Sequence, residues 1–314
     1  MAGRITLTSE VVEVGLDLGP GADIVSLTHR GTGLDVLFRT PWHEHAQAVR
    51  DGRAARTSYD PVGGPLETYR GGWQLLCPVG GAPRAIRGAP STFHGEAMAA
   101  TWTLVSSTVA SASLWLELYA VPLRIERRLT LDGATVSVAD TLSNLSDVEL
   151  NVDYVSHPAF AGAFLDGHVV VDTGARTYTA DPSTEGSFVA SGSVHEWPMA
   201  GETDLRDVPA PGTRHMAFGL LSDFDGHWAS ITNLDLGLGV RLDWDGTHLP
   251  FAWFWQELNW SEGYPWFRRA RVIAIEPAST QTSGPDRASV LTLAPLGTAC
   301  LTHSITLTDS KEQV

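Results

Sequence analysis

The chain has 314 residues, 43% of them hydrophobic, and 36 acidic against 21 basic side chains give a formal net charge of −15. That apolar content excludes a disordered chain. The acidic balance argues against nucleic-acid phosphates and anionic membrane surfaces as partners.

From the N-terminus, MAGRITLTSEVVEVG lacks the long apolar core of a secretion signal, and no run of about 18 apolar residues follows. The reading is a cytoplasmic, soluble protein without membrane or nucleic-acid partners. Residues 40–70 and 80–92 read as loops. Leu114, Leu116 and Leu118 then alternate with Trp115 and Glu117, and Ile125, Arg127, Leu129 and Leu131 run into Asp132-Gly133 before Val136 and Val138. Two alternating runs across Asp-Gly predict a hairpin. Residues 174–214 form a long segment rich in Gly, Ser, Thr, Asp and Pro, expected to be irregular and to pack over a site. LGLGVRLDWDGTHLPFAWFW predicts a second strand pair around Asp245-Gly246, and RVIAIEP, SVLTLAP and TACLTHSITLT read as further strands. No segment sustains a helical apolar period over three turns. The expectation is one all-β domain spanning residues 1–314, with few short helices.

Much chemistry lacks its motif. There is no GxxxxGK[ST], no GxSxG and no HExxH. Two cysteines, Cys77 and Cys300, form neither a disulfide framework nor a four-ligand zinc site. The eleven histidines are scattered, so no metal and no cofactor is expected. Proton transfer by histidine and carboxylate remains, in a chain with eleven tryptophans.

Four segments stand out: Arg70-Gly71-Gly72-Trp73 running on to Pro78, Phe93-His94-Gly95-Glu96, Ser156-His157-Pro158-Ala159-Phe160, and Ala274-Ile275-Glu276-Pro277. In this order, in a strand-rich chain, they resemble the aldose 1-epimerase (galactose mutarotase-like) superfamily over residues 5–308. The resemblance implies a β-supersandwich and an acid–base mutarotase acting on a small-molecule sugar. By its motifs, Glu276 is the base and His157 the acid, His94 lies near the ring oxygen, and Arg70 contacts substrate. The chemistry agrees. Opening a hemiacetal ring requires one group to take the anomeric hydroxyl proton and another to protonate the ring oxygen, each worth about 10²–10⁴ in rate. An imidazole and a carboxylate suffice, expected several ångströms apart across a pyranose.

Aromatic rings bury well against sugars, and Trp73 is the single best stacking candidate. Trp253, Trp255, Trp260 and Trp266 read mostly as core. By strand parity, Phe251, Trp253, Trp255 and Glu257 share one face. The family pattern is broken in places. Ser156 stands where an asparagine is usual, and Glu96 and Ala97 occupy a stretch where an arginine often follows the His-Gly motif, which weakens a phosphorylated substrate. The substrate-binding aspartate has five candidates: Asp223, Asp225, Asp235, Asp243 and Asp245. The rival readings are a non-catalytic carbohydrate-binding or sensor protein, and a sugar lyase or hydrolase. A hydrolase would use a second carboxylate, for which Glu96 and Glu257 are unassigned. Oligomeric state is not legible.

Overall fold

The computed structural model describes residues 3–182 and 188–309. Residues 183–187 of the 174–214 segment, and both chain ends, lie outside these bounds. An eleven-stranded and an eight-stranded antiparallel sheet account for most of the described residues. Apolar side chains from both sheets, among them Phe254, Ile273 and Ile275 from the first and Leu129, Val138 and Ile305 from the second, meet in one core. This is the all-β sandwich expected.

The Asp132-Gly133 hairpin forms as its pattern predicts. Leu123–Asp132 pairs with Thr135–Asn144, and Asp132 sits opposite Thr135. Gly133 takes φ +53° as the first residue of the two-residue loop, a conformation that glycine adopts without steric cost. The Asp245-Gly246 expectation is corrected. Leu238–Trp244 belongs to the eight-stranded sheet and Phe251–Leu258 to the eleven-stranded one, so the segment between them crosses layers. Neither Asp245 nor Gly246 has positive φ, as a tight hairpin of this sequence would need. Instead the Asp245 carboxylate accepts the Thr247 N–H at 2.9 Å, and the Trp244 indole N–H donates to the Leu249 carbonyl at 2.9 Å.

The predicted loops are also partly ordered. Residues 40–70 hold two short helices, His43–Arg50 and Gly63–Glu67. Residues 174–214 contain Thr177–Ala180, Val194–Glu196, Met199–Ala200 and Thr203–Asp204 as short strands. Among the described residues, no helix is long and apolar enough to cross a membrane.

Candidate active site

Strand register assembles the site. Val155–Ala161 runs beside Arg271–Ala278 with Val155 opposite Ala278 and Ala159 opposite Ala274, which sets His157 across from Glu276. On the far side of that strand, Trp253 lies opposite Glu276 and Trp255 opposite Ala274. Beyond these, Phe218 faces Trp255 and Met216 faces Glu257. Side chains at paired positions share a face. One row therefore reads Gln74, His157, Glu276, Trp253, and the next reads Ala159, Ala274, Trp255, Phe218. The intervening residues, including Phe160, Ile275 and Phe254, turn into the inter-sheet core.

Phe38, Tyr69, Trp255 and Trp266 pack against the alanines at 159, 161 and 274, and a space opens beside them over His157, Glu276 and Trp253. The space is a cavity of about 460 Å³, floored by the sheet and walled by Pro65 and Leu66 of the Gly63–Glu67 helix, by Phe93, His94 and Met98, and by Pro265 and Trp266. Trp266 packs on both Trp42 and Trp255, with ring centroids 5.3 Å apart in each pair.

His157 Nε2 lies 3.8 Å from Glu276 Oε1. The pair is thus side by side on one floor, which corrects the expectation of groups held apart across a sugar ring. The geometry suits the chemistry, because the anomeric and ring oxygens are both bonded to C1. A carboxyl and an imidazole in otherwise apolar strands are informative, since buried polar groups are rare without a role. Burial shapes both. It raises the Glu276 pKa well above 4.5 and lowers that of His157 from 6.5 to about 4, because a desolvated charge is penalised in either group.

His94 has φ +65° and is followed by Gly95 at φ +75°, a left-handed turn sparsely populated by side-chain-bearing residues. The turn is tied at both ends: the His94 N–H donates to the Gly81 carbonyl at 3.0 Å, and the Gly81 N–H donates to His94 Nδ1 at 3.2 Å. With Nδ1 accepting, the neutral ring carries its proton on Nε2. Burial, and to a lesser degree His157 and Arg287, holds the His94 pKa well below 6.5. The His94 and His157 ring centroids are 6.0 Å apart and nearly perpendicular.

Two expected site residues lie elsewhere. Arg70 is buried, but in an ion-pair network behind the site. Its guanidinium pairs with Asp17 and, at 2.8 Å, with Asp23, which also binds Arg50 at 3.0 Å and the Gln74 amide at 3.2 Å. It does not line the cavity. Gly71 and Gly72, at φ +87° and +88°, bring this segment against the main chain at Phe38 and Ile24, where a Cβ would collide. Trp73 is one residue out of phase with Gln74 and so points into the core, where its indole N–H donates to Ser156 Oγ at 2.8 Å. Ser156 is likewise on the far face from His157.

Trp253 and Trp255, read mostly as core, line the cavity instead. None of the five candidate aspartates does. Asp243 pairs with Arg241 and Asp225 with Arg176, while Asp223, Asp235 and Asp245 accept hydrogen bonds from neighbouring segments. Glu96 caps the backbone N–H groups of Tyr119 and Ala120 at 2.7 and 2.9 Å. Glu257 is the second carboxylate of the cavity. It accepts the N–H groups of Trp260 and Ser261 at 2.7 and 3.0 Å and the Ser261 hydroxyl at 2.5 Å, so it fastens the loop that carries Trp266. Its place on the Trp253–Trp255 face was the signal for it, but parity did not say which face opens. Tyr69, another lining residue, carried no motif.

The opposed shifts give a stability prediction for Glu276→Gln. The folded protein keeps the Glu276 proton at pH values where the unfolded chain has lost it, so wild-type stability from this group falls as pH rises above 4.5 towards the raised folded value. His157 acts in the other direction, its contribution falling as pH drops from 6.5 towards about 4. Glu276→Gln removes only the first effect. The variant is expected to melt at the wild-type temperature near pH 4 and above it at pH 7, with the gap widening as pH rises. Thermal melts across that range check it; a gap that is constant with pH contradicts the raised Glu276 pKa.

The sequence matches no protein-family model, and a search of curated proteins finds no significant match. Solved structures do match. A protein of Synechocystis sp. PCC 6803 superposes with a TM-score of 0.71 at 15% identity, covering 98% of this chain and 96% of its own. A candidate aldose 1-epimerase of Escherichia coli K12 gives 0.71 at 14% identity, covering 98% and 99%. A galactose mutarotase-like protein of Lactobacillus casei ATCC 334 gives 0.65 at 16% identity, covering 98% and 100%. The end-to-end coverage, together with the two packed sheets, shows that the chain has the galactose mutarotase-like fold.

Proposed function

We propose that the protein is an aldose 1-epimerase that interconverts the α and β anomers of a neutral aldose. The observation that carries the reading is the Glu276–His157 pair, 3.8 Å apart on the floor of an aromatic-walled cavity. Glu276 takes the proton of the C1 hydroxyl as the C1–O5 bond breaks and a carbonyl forms at C1, and His157 protonates the departing ring oxygen. After rotation about C1–C2 the opposite face of the carbonyl closes, His157 takes back its proton, and Glu276 returns its own to O1. Protons balance over the cycle.

Burial favours the uncharged pair. Protonated Glu276 with neutral His157 holds the same number of protons as the carboxylate–imidazolium form. Reaching the working form therefore needs transfer between neighbouring groups and no net exchange of protons with solvent. His94, with Nε2–H available, is placed to donate to a sugar oxygen. Trp253, Trp255 and Trp266 offer faces for the apolar side of a pyranose.

Among the described residues, no lysine or arginine lines the cavity, which favours a neutral sugar over a sugar phosphate, since phosphate recognition draws on cationic forks. Freshly dissolved single anomers of glucose and galactose, and of their 6-phosphates, followed by polarimetry, test this. Faster equilibration of at least one neutral sugar is expected. A large preference for a phosphate would overturn the substrate class, and no acceleration of any aldose would overturn the reaction.

A further inference from the structure

Tyr69 lines the cavity and is only 6% exposed, yet its hydroxyl has no hydrogen-bond partner among the described residues. A buried hydroxyl without an acceptor is costly, and native proteins rarely leave one so. The side chain has little freedom to find an acceptor elsewhere. Its ring packs between His157 and Phe38, with centroids at 6.0 and 6.4 Å. Its main chain is pinned on both sides: the Tyr69 N–H donates to the Leu66 carbonyl at 3.2 Å, and the Tyr69 carbonyl accepts the Thr40 hydroxyl at 3.1 Å. An acceptor supplied by a bound molecule completes the site.

Resting on the mutarotase reading above, we propose that Tyr69 is a third substrate-contacting residue, donating a hydrogen bond to the oxygen on C2 of the aldose. The chemistry of the sugar selects that oxygen. O1 and O5 are engaged by Glu276 and His157. Of the two atoms bonded to O5 or C1 beyond the reacting centre, C5 carries carbon in a hexose and C2 carries a hydroxyl. The only non-reacting oxygen on an atom bonded to the anomeric carbon is therefore O2, and the Tyr69 ring packs on His157, 6.0 Å between centroids, beside the reacting pair. Burial and the nearby Glu276 carboxyl raise the phenol pKa far above its usual 10, so the group acts as a donor and not as a second base.

The test is Tyr69→Phe, which keeps the ring and removes the hydroxyl. Anomer equilibration is measured for glucose and galactose and for 2-deoxyglucose and 2-deoxygalactose, with wild type and variant. Tyr69→Phe is expected to lower kcat/KM for the parent sugar by about tenfold, the size of one net hydrogen bond, and to leave the 2-deoxy sugar unchanged. The melting temperature should not fall, because no internal hydrogen bond is lost. No effect on the parent sugar, or an equal loss on parent and 2-deoxy sugars, would overturn the assignment. If the variant does not fold, wild type alone decides: equal kcat/KM for parent and 2-deoxy sugars overturns it. Wild type that accelerates no aldose removes the mutarotase reading and this inference with it. Activity without dependence on the 2-hydroxyl removes Tyr69 alone.

Discussion

Glu276→Gln is expected to lower the mutarotation rate by at least about 10²-fold, the lower end for a lost general base. The amide keeps the shape of the side chain and cannot take the C1 hydroxyl proton. Sugar binding should weaken much less, because the amide oxygen still accepts a hydrogen bond. His157→Asn should produce a loss of similar size, since it removes the group that protonates the ring oxygen. The double variant should be little slower than either single one, because the two groups serve one cycle and either deletion disables it. Fold stability is not at risk from Glu276→Gln, given the melting behaviour expected above. Rates for the three variants, each measured beside a sugar-binding isotherm, check the set. A fully active Glu276→Gln protein would remove Glu276 from the chemistry, and a variant that had lost sugar binding along with activity would point to a ligand-holding role.

The second large effect is on stability. Arg70→Ala removes a guanidinium from Asp23, which is fully buried and whose Oδ2 also takes Arg50 and the Gln74 amide. Breaking a buried ion pair on one side leaves an uncompensated charge and costs about 3–5 kcal/mol. Arg50 still pairs with Asp23 at 3.0 Å, so the lower end of that range applies. For a chain of this size the melting temperature should drop by roughly 5 °C. A melt with an unchanged midpoint, together with loss of sugar affinity, would return Arg70 to the substrate role implied by its motif.

Arg70 and Trp73 show where sequence reading reached its limit. The segment Arg70-Gly71-Gly72-Trp73 is recognisable, and parity along Trp73–Leu76 is legible. Which parity faces the cavity depends on the pairing of Gln74 with His157, a contact between residues more than eighty positions apart. A shift of one residue sends a side chain to the opposite face, and Trp73 is on the wrong one. Glu276 and His157 were marked by the motifs that carry the resemblance, Ser156-His157-Pro158-Ala159-Phe160 and Ala274-Ile275-Glu276-Pro277, and the structure brings the two side chains together. Their 3.8 Å separation was not legible, because register between strands is a tertiary property. Tyr69 had no motif and only the assembled cavity marks it, while Glu257 had its parity with Trp253 and Trp255 but nothing to say that this face opens. The Asp132-Gly133 and Asp245-Gly246 pairs make the same point for the fold. The first closes a hairpin between flanking strands that pair with each other, and the second joins strands drawn into different sheets by the core. The short helices in residues 40–70 escaped because eight and five residues are too few for a helical period to register.

The most direct test of the central claim is anomer exchange at the wild-type site. Exchange between the α and β C1–H resonances of a neutral aldose is measured by NMR at neutral pH, with and without a metal chelator. The account predicts exchange that rises in proportion to protein concentration, is the same in chelator, and is abolished to within a few per cent by Glu276→Gln. Exchange no faster than in buffer for every aldose tried would contradict it, as would acceleration that survives Glu276→Gln or that disappears in chelator and returns with a divalent ion.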